Sequence, residues 1–130
     1  MKIINDLSKI KDLKFIGGTS LFLQNKVSRV KDIDVLVQSS AEISEKFKLT
    51  FIECPVYRFP ERTRAFFIVN DILVDVFIQQ NDEEIIQIGD YSCTTITSQI
   101  KFLEKTLEIN MSNPKRQKIL ADLNYLATLR

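Results

Sequence analysis

Two aspartates alternate with apolar residues in Lys31-Asp32-Ile33-Asp34-Val35, and a third, Asp75, sits inside Leu73-Val74-Asp75-Val76-Phe77-Ile78. Residues two apart on a strand project from one face, so Asp32 and Asp34 are expected side by side with Ile33, Val35 and Val37 packed behind them. Carboxylates that close repel, and one takes up a proton unless a divalent cation binds both through oxygen. An Asp-x-Asp pair alone also fits a solvated edge strand. Asp75 sharpens the reading, because a charge in the middle of an apolar strand is rarely buried unless it is paired or bound to a metal. The plainer alternative for Asp75 is an ion pair with Arg64 or another nearby base. Asp71 reads as a turn residue.

Upstream, Phe15-Ile16-Gly17-Gly18-Thr19-Ser20 places a glycine pair where an apolar segment gives way to a short helix. Two glycines there can be simple turn chemistry. They also let backbone N–H groups approach a phosphate closely at the positive end of a helix, with the Thr19 and Ser20 hydroxyls as further donors. The sequence contains neither Gly-x-x-x-x-Gly-Lys-Ser/Thr nor Gly-x-Gly-x-x-Gly, the two common phosphate-loop patterns. Basic residues recur near the C-terminus: Lys101 and Lys105 one helical turn apart, then Lys115, Arg116 and Lys118. They suit a phosphate clamp or, equally, a solvated face.

Histidine is absent from all 130 residues, which excludes histidine triads, histidine zinc ligands and histidine general bases. Any chemistry must use carboxylates, lysines, arginines, hydroxyls or a metal held by oxygen. The net charge of +1 gives no global field toward nucleic acid or an anionic membrane. With 45% apolar and 27% charged residues, the composition is that of a globular domain, and the length suits a single domain over residues 1–130. The sequence has no apolar run near the roughly 20 residues of a membrane helix, and Met1-Lys2-Ile3-Ile4-Asn5-Asp6 carries no signal-peptide pattern. Cys54 and Cys93 lie far apart in no metal-like spacing and read as reduced thiols of a cytoplasmic protein.

Apolar periodicity sets out the elements that must position these residues. A helix is expected over 2–12, a strand over 14–16, a helix over 20–25 and a strand over 32–38. A helix over 41–47 and a strand over 49–52 follow, then an irregular segment bracketed by Pro55 and Pro60. Residues 64–69 and 72–79 around Asn70-Asp71 predict a β-hairpin. A strand over 84–88 comes next. A helix capped by Thr97 or Ser98 runs to about 108, and a last one, with Pro114 near its start, to about 129. The order predicts an α+β fold: a mixed sheet flanked by helices, with two helices at the C-terminal end.

Ile16-Gly17-Gly18, thirteen intervening residues, Asp32-Ile33-Asp34-Val35 and a later strand Asp75 together resemble the DNA polymerase β-type nucleotidyltransferase superfamily. The Gly-Gly-Thr-Ser-Leu form, with Pro114-Lys115-Arg116-Gln117-Lys118 and Asp122, is most similar to abortive-infection and tRNA-modifying nucleotidyltransferase toxins. The resemblance implies that the glycine loop holds an NTP triphosphate and that Asp32, Asp34 and Asp75 bind two Mg²⁺ (or Mn²⁺) ions. It further implies that Asp75 activates an acceptor hydroxyl: a tRNA 3′ end, a protein side chain or a small molecule. An antitoxin or a second copy of the chain is the implied partner. Those relatives often carry an arginine four residues before the first aspartate, where this chain has Ser28, with Arg29 one place later. Two alternatives stand beside this reading: a catalytically inactive binding or regulatory module on the same fold, and a structural α+β domain whose acids coincide.

Overall fold

The computed structural model describes residues 2–53, 62–80 and 83–130; Cys54, Pro55 and Pro60 fall outside the described residues. Five helices and seven strands are described, in the order α1 (Lys2–Ser8), β1 (Lys14–Phe15), α2 (Gly17–Leu23), β2 (Ile33–Val37), α3 (Ala41–Lys46), β3 (Thr50–Ile52), β4 (Thr63–Val69), β5 (Ile72–Ile78), β6 (Ile85–Ile88), β7 (Tyr91–Thr94), α4 (Ile96–Thr106) and α5 (Asn113–Leu129). The strands form one mixed sheet in the order β3-β4-β5-β2-β1-β7-β6. β2 runs parallel to β5 and β1 parallel to β7, while the other neighbours are antiparallel. This is the expected α+β arrangement with a helix pair at the C-terminal end.

Alternation divides the sheet into two faces. Ile33, Val35, Val37, Val74, Val76, Ala65 and Phe67 point to one side and pack with Ile3, Ile4 and Leu7 of α1 and Ile43 of α3 in one core cluster. Phe47 stacks on Phe67 with ring centroids 4.2 Å apart, closing that core toward α3. The opposite face carries Asp34 and Asp75. The hairpin β4–β5 turns at Asn70 and Asp71, both at positive φ (48° and 63°), the pairing a tight two-residue turn needs.

Four local expectations change. Beyond Ser8, the segment predicted to complete the first helix closes in turns, where Asp12 takes a positive φ of 62°. The second helix begins at Gly17 instead of Ser20, so the glycine pair forms its first turn. Thr95, not Thr97 or Ser98, caps α4, accepting a hydrogen bond from the Ser98 N–H at 3.1 Å. Strand β7, Tyr91-Ser92-Cys93-Thr94, has too few apolar residues to signal a strand, yet lies between β1 and β6.

Candidate functional site

Parallel pairing of β2 with β5 sets Asp34 and Asp75 at the same register position on neighbouring strands. They therefore share a face and meet at the floor of a cleft of about 450 Å³. One side of the cleft is the start of α2, with Ile16, Gly17 and Gly18; the other is built by Ser98, Gln99, Phe102 and Leu103 of α4 and Lys118, Asp122, Tyr125 and Leu126 of α5. Arg62 and Arg64 line it as well.

The two carboxylates are unequal. Arg64 donates to Asp75 Oδ1 from Nη2 at 2.8 Å and from Nε at 3.3 Å. Asp75 is buried, so this pair stands in reduced solvent. No hydrogen bond from a described residue reaches the Asp34 carboxylate. Its pKa is raised from the usual 3.8 to about 7, first by burial, then by the charge of Asp75, then by that of Asp32; the Arg64 charge pulls the other way. A part-buried carboxylate with two acidic neighbours and no donor among the described residues is short of a positive charge.

Gly17 closes the site behind Asp34. It takes φ +55°, and a Cβ there would stand 3.3 Å from Asp34 Oδ2. Glycine is favoured on both counts. Gly18 is exposed, and a Cβ there would meet nothing within 4 Å, so its surface opens to the cleft. The first N–H to bond within α2 is that of Ser20, to the Ile16 carbonyl at 3.2 Å, so Gly17, Gly18 and Thr19 occupy the turn whose N–H groups precede the helical ladder.

Thr19 and Ser20 have a different place from the one expected. Because α2 starts at Gly17, both turn toward the sheet and are fully buried. Thr19 Oγ1 accepts from the Asp34 N–H at 2.9 Å and donates to the Asp32 carbonyl at 3.3 Å. Ser20 Oγ donates to the Thr94 carbonyl at 2.6 Å and accepts from Gln24 Nε2 at 2.9 Å. They fix α2 onto β2 and β7, and neither lines the cleft. Asp32 stands just before β2, half-buried and outside the cleft lining, close enough for its charge to act on Asp34. Among the described residues no group of three or more acidic, histidine or cysteine side chains is gathered tightly enough to hold a metal as placed.

Of the five basic residues proposed from sequence, only Lys118 lines the cleft, and it pairs with Asp122 at 3.0 Å. Lys101 and Lys105 are exposed on α4, two positions beyond Gln99 and Leu103, about 200° round the helix from that wall. Lys115 is exposed outside the cleft, and Arg116 Nη2 donates to the Leu107 carbonyl at 3.0 Å, joining α5 to the end of α4. The cations nearest the acids are instead Arg62 and Arg64 on β4 and its approach. Arg62 is buried, with its guanidinium 4.0 Å from the Phe102 ring centroid, and its Nε donates to Gln79 at 2.9 Å. Glu83 pairs with Arg62 and accepts from Ser98 Oγ, so this cluster clamps α4 to the sheet. Cys93 is buried and its thiol is pushed up to about 11 by burial, which leaves it unreactive.

Among the described residues no helix is long and apolar enough to cross a membrane. No family model matches the chain, and no curated protein or solved structure is significantly similar to it.

Proposed function

We infer that this protein is a metal-dependent nucleotidyltransferase that moves a nucleoside monophosphate from an NTP to a hydroxyl acceptor. The observation that carries this reading is the Asp34 carboxylate, which lies in register with Asp75, is pushed up to about 7 and receives no hydrogen bond from a described residue. The oxygen-only donor set fits Mg²⁺ or Mn²⁺. Asp34 and Asp75 would hold the ion, with Asp32 as the neighbouring acid. Bound there, the metal would offset triphosphate charge and lower the pKa of the acceptor hydroxyl.

The chain's own residues account for the rest. Gly17 and Gly18 offer a close backbone approach for the triphosphate, and Lys118 stands across the cleft as a second cation. In the transfer, the acceptor oxygen bonds to the α-phosphorus while the bond from that phosphorus to the β-bridging oxygen breaks. Pyrophosphate departs with the bonding electrons, and the hydroxyl proton passes to Asp75, whose Oδ2 receives no hydrogen bond from a described residue. Acceptors of the classes named above, a tRNA 3′ end, a protein or a small molecule, are all compatible with an open cleft.

The Arg64–Asp75 pair favours a second reading, in which the domain binds nucleotide without transferring it and serves as a regulatory module. One experiment separates the two. The protein is incubated with each NTP radiolabelled at the α-phosphorus, with Mg²⁺ and a cell lysate, beside Asp34→Asn and Asp75→Asn. Transfer is expected for the wild type alone. Nucleotide binding with no labelled product from any NTP would favour the regulatory module, and equal transfer by the variants would remove these carboxylates from the reaction.

A further inference from the structure

Asp34 and Asp75 face this site, Asp32 lies close enough for its charge to act on Asp34, and one cation, Arg64, is paired directly with this group. Arg64 extends from β4, diagonally across from Asp75 on β5, and directs two nitrogens, Nη2 at 2.8 Å and Nε at 3.3 Å, onto the single oxygen Oδ1. That geometry differs from the fork-to-fork pairing of guanidinium and carboxylate, which engages both oxygens. It leaves Oδ2 without a hydrogen bond from any described residue. The Arg64 side chain is one-quarter exposed and lines the cleft, with its guanidinium 5.4 Å from the Phe77 ring centroid. The guanidinium is thus at the edge of the cleft and not sealed in the interior. Counting the carboxylates of Asp32, Asp34 and Asp75 against Arg64 leaves the group two positive charges short of neutrality, which one divalent cation supplies.

We propose that Arg64 is a positioning residue that acts as the resident counter-ion of Asp75, competing with divalent metal for that carboxylate and so setting the metal affinity of the site. This rests on the metal-site reading above. Arg64 holds the Asp75 carboxylate in place when the metal is absent, and it weakens metal binding by adding a positive charge beside the ligands. A guanidinium released by the metal would lie in the cleft, where the NTP phosphates would meet it.

The test is Mn²⁺ binding without nucleotide, followed by the electron paramagnetic resonance of the free ion, for the wild type, Arg64→Gln and Arg64→Lys. Removing a unit charge a few ångströms from the ligands should tighten Mn²⁺ binding by about tenfold or more in Arg64→Gln. Arg64→Lys, which keeps the charge, should stay within about threefold of the wild type. Equal or weaker binding by a folded Arg64→Gln would overturn the role of Arg64 and leave the metal site standing. A wild type that binds no Mn²⁺ would overturn the metal-site reading and this inference together. Should Arg64→Gln not fold, the wild type decides alone. Adding Mg²⁺ should move the Arg64 Nε–Hε resonance as Asp75 is shared, and an unmoved resonance at metal saturation would refute the competition.

Discussion

A Cβ on Gly17 would stand 3.3 Å from Oδ2 of Asp34, and the backbone of Gly17 already lies in the left-handed region at φ +55°. The glycine is thus the back wall of the acid pair and not only a turn. Gly17→Ala should lower stability by roughly 1–2 kcal/mol through the backbone alone. It should also displace the Asp34 carboxylate, so the thermal shift caused by Mg²⁺ should shrink. A full Mg²⁺ shift in the folded variant would show that Gly17 does not shape the metal site.

Asp34 gives the metal-free protein an unusual pH dependence. Its folded pKa of about 7 lies above the ordinary 3.8, so between those values the folded chain binds more protons than the unfolded one. Stability then falls as pH rises from about 4 to about 7, and the loss is complete above that range. Asp34→Asn should remove this contribution, on the order of 4 kcal/mol at pH 8 and close to nothing at pH 4. Denaturant melts of both proteins across that range measure the difference. A gap that does not widen with pH would place the Asp34 carboxyl near its ordinary value. Mg²⁺ should restore wild-type stability most strongly at the alkaline end, where Asp34 is already ionised, whereas below about pH 7 its binding should release a proton.

Gly18 is the opposite case from Gly17. Its missing side chain faces open space at the mouth of the cleft, so bulk is tolerated by the fold and felt only by a ligand. Gly18→Val should leave stability within about 1 kcal/mol of the wild type, because valine is a slightly better helix former than glycine and meets nothing there. If the triphosphate lies against this turn, NTP affinity should fall by about tenfold or more, equivalent to roughly 1.4 kcal/mol. Calorimetric titration with an NTP and Mg²⁺ reads this directly, and unchanged affinity would move the phosphates elsewhere in the cleft.

The acid pair was legible because strand alternation and apolar flanks are local signals: Ile33, Val35, Val74 and Val76 mark the core face, and Asp34 and Asp75 fall opposite them. The hairpin was legible from Asn70-Asp71 for the same reason. Arg62 was not, since its partners Gln79 and Phe102 come from distant segments and nothing in Arg62-Thr63-Arg64 announces a buried guanidinium. Strand β7 escaped because its burial comes from position beside β1 and not from its own hydrophobicity. The glycine pair was set before its helix because glycine disfavours helix. Bonds across to β2, from the Ile16 N–H to the Asp34 carbonyl at 3.0 Å and between Thr19 and Asp34, override that preference. The shift of three residues in the helix start is what turned Thr19 and Ser20 inward.

Thr19 then becomes the residue that ties the phosphate-facing turn to the acids. Its buried hydroxyl accepts from the Asp34 N–H and donates to the Asp32 carbonyl, so one side chain holds the backbone at both members of the Asp-x-Asp pair. Thr19→Val keeps the shape but removes both bonds, leaving a buried N–H without its acceptor, and should destabilise the protein by about 1–3 kcal/mol. Thr19→Ser keeps the hydroxyl, loses one methyl and should cost only about 1 kcal/mol. The two variants differ most in the site itself. With Asp34 loosened, Thr19→Val should bind Mn²⁺ more weakly than Thr19→Ser, even at a temperature where both are fully folded. Equal Mn²⁺ affinity in the two variants would mean that the strand pairing of Asp34 with Asp75 positions the carboxylates without help from Thr19.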